Sequence, residues 1–165
     1  MIASDVVAFY DRCEATGIWI DGGWSVDALL GEETRPHADL DIAIETRHLP
    51  VLHQLLEADG YALVPRDDTT DWNFVLGDTH GRRIDIHAFV FNETGAGILG
   101  PPENNHAYPP GSLTGRGKIL NREVRCIAPE HLVRFHIGYE PRETDRHDVK
   151  LLCERFNIPP PAEYL

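Results

Sequence analysis

Two aspartates separated by one hydrophobic residue, Asp39 and Asp41, form the pair with the clearest chemical potential in the chain. They open the segment 39–44, where polar or small and larger apolar residues alternate, a pattern that predicts a β-strand. Side chains two residues apart on a strand point to the same side, about 6.6 Å from one another. Their oxygens can converge on hard divalent cations such as Mg²⁺. On spacing alone, a solvent-facing strand edge or a turn is the more frequent explanation.

A third carboxylate, Asp85, lies in a second alternating segment, 84–89. If the two strands pair, the three carboxylates cluster, and they repel one another unless a cation or protons occupy the cluster. His87 is expected on the same strand face as Asp85. For this imidazole a hydrogen bond is favoured over metal ligation, because it is a softer ligand than Mg²⁺ prefers. A cluster of this kind indicates a functional site.

A glycine pair, Gly22 and Gly23, precedes a short apolar helix predicted over 24–30. Glycines leave backbone N–H groups accessible at the positive end of a helix, where a phosphate can bind. Ser25 in the first turn could add a hydroxyl. Alone, such a pair is more often plain turn chemistry. Together with the aspartate pair just downstream, it describes a triphosphate cradle beside a metal site.

These motifs and their order resemble a known group of proteins. The chain is similar to the small nucleotidyltransferases of the polymerase-beta superfamily, and within it to the antibiotic-modifying adenylyltransferases that act on aminoglycosides and lincosamides. The resemblance is dense over 22–44, recurs at 83–89 and is weaker over 145–156. The residues that carry it are Gly22-Gly23-Trp24-Ser25, Arg35-Pro36-His37, Asp39-Leu40-Asp41 and Ile84-Asp85-Ile86.

The resemblance implies a magnesium-dependent catalytic centre. Asp39 and Asp41 would be the ligands of two Mg²⁺ ions, and ATP or another nucleoside triphosphate would be the co-substrate. Asp85 would match the third acidic position, which helps to bind metal, activates the acceptor hydroxyl as a general base, or does both. Paired metal ions suit this chemistry because they stabilise the attacking and leaving oxygens together.

Three basic residues are candidates for binding the nucleotide beside Gly22, Gly23 and Ser25. Arg35 and His37 come directly before the aspartates, in a loop that would lie near the phosphates, and Arg35 is the better phosphate ligand. A surface arginine and a histidine that caps the strand are the structural alternatives. Lys150 lies one helical turn from Arg146 and could form a small basic face toward the nucleotide. A solvated helix face is the more common outcome for such a charge run.

The predicted reaction moves AMP, or another nucleoside monophosphate, to a hydroxyl of a small-molecule acceptor and releases pyrophosphate. A cationic antibiotic, a lincosamide or an aminoglycoside, is the leading acceptor. One rival is a nucleotidyltransferase of the antitoxin type that modifies a protein. The other is a non-catalytic nucleotide-binding module, against which the intact Asp39, Asp41 and Asp85 argue.

The elements predict an α/β (α+β) fold with C-terminal helices, and the resemblance implies that it is of the nucleotidyltransferase type, with a mixed sheet flanked by helices. We expect a single domain over 1–165, with its core over about 1–127 and a helical segment over about 128–165. The glycine- and proline-rich segment 92–117 is expected to contain little regular structure.

Composition limits the partners. Fifteen basic against 27 acidic residues give a formal net charge of −12, which repels duplex nucleic acid and attracts small cations, although acidity also serves solubility. Neither a membrane-length apolar run nor a basic leader is present, so we expect no membrane partner and a cytoplasmic location. The three cysteines are expected to be reduced core residues. A C2 homodimer is the default assembly.

Overall fold

The computed structural model describes residues 1–165 as five α-helices and nine β-strands and confirms the mixed α/β fold. The helices are α1 (Ala3–Cys13), α2 (Gly22–Leu30), α3 (Leu49–Ala58), α4 (Pro129–Phe135) and α5 (Glu143–Phe156). The strands are β1 (Trp19–Ile20), β2 (Leu40–Glu45), β3 (Ala62–Val64), β4 (Asn73–Gly77), β5 (Arg83–Phe91), β6 (Gly97–Ile98), β7 (Ala107–Tyr108), β8 (Gly115–Ile119) and β9 (Arg122–Cys126).

The strands form one mixed sheet in the order β3-β4-β5-β2-β1-β9-β8, and the short β6 and β7 extend it from the far end of β5. β2 runs parallel to β5, and β1 runs parallel to β9, while the other neighbours are antiparallel. The parallel pair β2–β5 lies inside the sheet and carries the predicted aspartates.

Apolar side chains cover both faces of the sheet. On one face, Leu40, Ile42 and Ile44 of β2 join a core that includes residues of α1 and α3. On the other face, Ala43 joins a second core with residues of α4 and α5. This alternation along β2 matches the predicted one. Asp41, Asp85 and His87 therefore lie on the face of the sheet that carries Ala43, opposite the core formed with α1 and α3.

Several boundaries differ from the sequence prediction, and β2 and β5 are shifted or extended by one or two residues at their ends. The helix predicted from Trp24 begins at Gly22, because Asp21 is its N-cap and its carboxylate accepts the Gly22 N–H at 2.7 Å. β8 begins inside the segment expected to be mostly irregular. Gly115 and Gly117 allow this strand to approach neighbouring backbone so closely that a Cβ at either would overlap a carbonyl group, that of Ile127 or Ala28.

Other expectations agree with the structure. The segment before β8 contains only two-residue strands and short 3₁₀ turns, as its glycines and prolines predict. All three cysteines are buried and unpaired. No helix combines the length and the apolar composition that a membrane span requires.

Candidate active site

The register between β2 and β5 brings two of the predicted aspartates side by side. Asp41 is the direct partner of Asp85 in this parallel pair, so both side chains point to the same face of the sheet. Asp85 is only 8% exposed, whereas Asp41 is partly exposed to the cleft described below. Strand pairing therefore brings together two of the three carboxylates that were expected to cluster.

His87 completes this group from the next outward position of β5. Its Nε2 lies 3.6 Å from Asp41 Oδ1 and 3.9 Å from Asp85 Oδ1. One ligand atom from each of the three residues lies within 4.8 Å of the others. Burial lowers the pKa of His87, but the neighbouring carboxylates of Asp41, Asp21 and Asp85 outweigh it and raise that pKa to about 9.

Asp39 does not join these converging atoms. It precedes β2 by one residue, so the strand pairing that aligns Asp41 with Asp85 does not fix its side chain. Its charge is nevertheless close: burial raises the pKa of Asp41, His87 opposes the shift, and Asp21 and Asp39 add to it. The predicted role of Asp39 as a metal ligand stays a prediction.

Asp85 has one satisfied and one unsatisfied oxygen. Its Oδ2 accepts a hydrogen bond from Arg66 Nη2 at 2.9 Å, and its Oδ1 is buried without any hydrogen-bond partner. A buried carboxylate oxygen without a donor is costly, and a bound cation removes that cost. Two carboxylates and one imidazole, with ligand atoms within 4.8 Å of one another, are a donor set that fits a divalent cation.

The glycine pair is required by close packing at the start of α2. Gly22 has φ +55°, and a Cβ there would overlap the Asp41 carboxylate. A Cβ at Gly23 would lie 2.5 Å from Arg35 Nη2 and 2.6 Å from His37 Nδ1. The N-terminus of α2 thus touches both the metal-binding candidates and the two basic candidates for nucleotide binding.

Arg35 and His37 are held in place by buried acids. Arg35 donates from Nε and Nη2 to the two oxygens of Asp148 on α5, at 2.9 and 2.6 Å. His37 Nε2 pairs with Asp27 on α2, whose other oxygen accepts from Thr34. Asp27 therefore has a structural role in holding this loop. The acids fix the loop 31–39 across the start of α2.

The structure does not bring Ser25 and Lys150 to this group. Ser25 is fully buried, and its hydroxyl accepts the Ile127 N–H at 3.1 Å, so it joins α2 to the segment after β9. Lys150 lies on the exposed face of α5, 4.0 Å from Glu154. Its side chain lines a separate groove beside the C-terminal tail, because the opposite face of α5 is the one that packs inward.

A cleft of about 1060 Å³ opens over Asp41 and His87. Tyr108 from the long segment after β5 closes one wall, and its hydroxyl donates to Asp21 at 2.6 Å. The lining contains three carboxylates and one guanidinium, so its charge favours a cationic guest. The lining includes Asp21, Gly22, Asp41, Asp68, Asn73, His87, Tyr108 and Arg134.

Sequence reasoning missed Arg66 and the pairing of Arg35 with Asp148. Arg66 lies in an irregular segment, where no periodicity indicates a direction. Asp148 is 113 residues away from Arg35 in the chain, and its helix pattern indicates a charged face without identifying a partner. By residue type, Tyr108 and Asp148 are candidates for the acceptor pocket, and Tyr108 lines the cleft.

Comparison with known proteins gives a consistent result. The model of the family described as aminoglycoside-2''-adenylyltransferase matches residues 4–152. A lincosamide resistance protein of Staphylococcus haemolyticus is 31% identical over 137 residues, which cover 81% of this chain and 82% of that protein. A 2''-aminoglycoside nucleotidyltransferase of Escherichia coli is 27% identical over 122 residues, which cover 74% of this chain and 64% of that protein.

Solved structures share the fold. The lincomycin-bound lincosamide antibiotic adenylyltransferase LnuA superposes with a TM-score of 0.77 at 29% identity, covering 92% of this chain and 96% of that one. ANT(2'')-Ia in complex with adenylyl-2''-tobramycin gives a TM-score of 0.73 at 20% identity, covering 93% of this chain and 88% of that one. At that identity the second likeness supports the fold alone.

Proposed function

The chain belongs to the aminoglycoside-2''-adenylyltransferase family and is a nucleotidyltransferase; from this premise we propose that it transfers AMP from ATP to a hydroxyl of a lincosamide antibiotic. The observation that carries the proposal is the register of β2 and β5, which sets Asp41 beside Asp85 at the glycine-rich start of α2. The lincosamide is preferred because LnuA and the lincosamide resistance protein are similar over most of their lengths. An aminoglycoside is the second candidate.

In the proposed reaction, the acceptor hydroxyl oxygen forms a bond to the α-phosphorus of ATP. The bond from that phosphorus to the bridging oxygen breaks, and pyrophosphate leaves with the electron pair. The hydroxyl proton passes to the carboxylate of Asp85. When bound, a divalent cation supplies positive charge for the phosphoryl oxygens and the leaving group. We propose Mg²⁺ for this role, with two ions held by Asp39, Asp41 and Asp85.

The chain's own groups orient the nucleotide. The backbone N–H group of Gly23 faces the phosphates from the positive end of α2. Gly22, whose own N–H donates to Asp21, leaves room for the Asp41 carboxylate. Arg35 lies against the same turn, and Asp148 fixes the orientation of its guanidinium group. Binding a phosphate therefore costs little additional side-chain entropy. The acceptor occupies the remainder of the cleft, where Asp21 and Asp68 favour its cationic amine. Because the proposed reaction consumes ATP, we propose a cytoplasmic location for the enzyme.

The test is direct. Purified protein is incubated with ATP, Mg²⁺ and a panel of lincosamides and aminoglycosides, and pyrophosphate release is measured together with the mass of each acceptor. We expect one class of acceptor to gain the mass of one AMP group. Absence of pyrophosphate and of product with every drug would contradict the antibiotic proposal, and AMP found on a protein hydroxyl would favour the antitoxin-type rival.

A further inference from the structure

His87 holds a position that a hydrogen-bonding role does not explain. Its Nε2 lies 3.6 and 3.9 Å from one oxygen each of Asp41 and Asp85, beyond the ~3.2 Å limit of an ordinary N–H···O hydrogen bond. Two ligands each about 2.1 Å from one ion lie between about 3 and 4.2 Å apart, depending on the angle. Both separations of His87 Nε2 from the carboxylates therefore fall in the range for ligands of a shared cation.

The imidazole is also oriented as a metal-bound histidine usually is. Asn73 on β4 is the direct antiparallel partner of His87 on β5, and its Oδ1 lies 3.0 Å from His87 Nδ1. Since a side-chain carbonyl oxygen can only accept, Nδ1 carries the proton and Nε2 faces the two carboxylates. A hydrogen bond at the second ring nitrogen fixes ring orientation in this way at many metal sites.

Asp85 provides an independent sign that this group of side chains suits a cation. The residue is 8% exposed, and its Oδ1 is buried without a hydrogen-bond partner at the point that His87 Nε2 faces. Arg66 satisfies only the other oxygen. A cation bound by Asp41, Asp85 and His87 together would satisfy this oxygen.

We propose that His87 Nε2 is a direct ligand of the divalent cation held by Asp41 and Asp85, with Asn73 as the residue that positions it. A site of two carboxylates and one imidazole accepts Mn²⁺ or a related first-row metal ion more readily than Mg²⁺. This inference refines the metal requirement of the proposed function and replaces the sequence-based preference for a hydrogen-bonding His87. The proposed function can fail through its acceptor while this inference stands, because the test below needs no acceptor.

The experiment reads the ligand by spectroscopy on untagged protein loaded with Mn²⁺, alone and with a non-hydrolysable ATP analogue. Electron spin echo modulation detects a nitrogen nucleus bonded to Mn²⁺. We expect ¹⁴N modulation in the wild type, its replacement by a ¹⁵N pattern in protein labelled with ¹⁵N-histidine, and its loss in His87→Gln. Mn²⁺ titration should show affinity weakened about tenfold in His87→Gln, in the range found for altered metal surroundings, and Mg²⁺ affinity weakened less.

His80→Gln is the matched control. His80 lies 3.6 Å from Asp78 in the exposed turn between β4 and β5, so it tests adventitious binding to a histidine–aspartate pair, and it should keep both the modulation and the affinity. Circular dichroism confirms that each variant is folded. Wild-type Mn²⁺ without nitrogen modulation, modulation that survives in His87→Gln, or no Mn²⁺ binding under either condition would overturn the proposal.

Discussion

At the scale of single residues, the buried and half-buried carboxylates fall into two groups, those whose oxygens accept hydrogen bonds from the protein and those with an oxygen that does not. Asp27, Asp145 and Asp148 each place both oxygens on donors from the protein. Asp85 leaves one oxygen without a donor, and Asp41 faces only His87, at 3.6 Å. The second group carries the candidate chemistry. A carboxylate oxygen without a hydrogen-bond donor is costly in a folded protein unless a bound ion or substrate interacts with it.

The charge of Asp41 should be essential for turnover. Asp41→Asn keeps the shape of the side chain and removes the charge, so we expect kcat/KM to fall about a thousandfold, equivalent to ~4 kcal/mol. Pyrophosphate release measures this change. Asp39→Asn should also lower turnover if the sequence-based metal role is right, and a wild-type rate in that variant would refute it. Asp59→Asn, which removes an exposed partner of Arg12, is the control.

Asp85→Asn separates two roles of one carboxylate. If Asp85 takes the hydroxyl proton, the variant should lose kcat while the affinity for the ATP–metal complex changes little, because the base acts only in the transition state. Equal losses in kcat and in nucleotide affinity would indicate a role confined to the cation. Equilibrium binding of a non-hydrolysable ATP analogue, measured beside steady-state rates, distinguishes the two results.

At the scale of elements, periodicity predicted the two strands of the candidate site better than the loops and helices around them. The alternation of 84–89 identified β5 and placed Asp85 on it, and the alternation of 39–44 predicted β2 to within one residue. That one residue matters, because Asp39 precedes the strand and leaves the converging group. Terminal strand residues are the least determined by pattern, since the preceding loop also sets their direction.

Contacts that join distant elements had no local signal. Arg66 reaches Asp85 from an irregular loop, and Asp148 reaches Arg35 from α5 across 113 residues. Ser25 was predicted for phosphate because it follows two glycines, yet the helix starts earlier than predicted and buries the hydroxyl against Ile127. These outcomes depend on how helices pack on the sheet, which a single sequence does not encode in its periodicity.

The contact between α5 and Arg35 should control nucleotide affinity. Asp148→Asn removes the bidentate charge pair, so Arg35 loses its fixed orientation, and we expect KM for ATP to rise about tenfold, or ~1.4 kcal/mol, with a smaller change in kcat. In a double-mutant cycle with Arg35→Gln, the two effects should not add, because each variant breaks the same pair. Additive effects would show that Asp148 acts on the nucleotide independently of Arg35.

Asp145 on the same helix is the matched control and gives a pH prediction. Its carboxylate accepts from the Arg142 backbone and guanidinium, and these hydrogen bonds hold its pKa below the ordinary value. The resulting stability is present above the unfolded pKa of about 3.9 and disappears as the pH falls through the lower folded pKa. Asp145→Asn should therefore cost ~1 kcal/mol at neutral pH.

Urea unfolding measures this effect. The difference in midpoint between the wild type and Asp145→Asn should be largest at neutral pH and should shrink below about pH 4. KM for ATP at neutral pH should be unchanged, unlike that of Asp148→Asn. A difference in midpoint that is independent of pH would show that the Asp145 charge does not contribute.

At the scale of the whole molecule, the protein is an anion with an anionic cleft. The formal net charge is −12, and the cleft lining adds Asp21, Asp41 and Asp68 against the single guanidinium of Arg134. The long-range field therefore attracts a cationic antibiotic and repels the ATP–metal complex, which remains an anion. We therefore expect nucleotide binding to depend on short-range groups, the α2 N-terminus and Arg35, that salt screens less.

The two substrates should respond to salt in opposite directions. As NaCl is raised at constant Mg²⁺, kcat/KM for a cationic acceptor should fall, because screening removes long-range attraction beyond a Debye length of about 10 Å at 0.1 M. Under the same conditions kcat/KM for ATP should stay level or rise, because screening reduces repulsion. An acceptor derivative with its amine acylated serves as the neutral control and should show little dependence. A parallel decline for ATP and the cationic acceptor would contradict electrostatic selection by the cleft, and would indicate that salt acts on a step that both substrates share, such as metal binding or the chemical step itself.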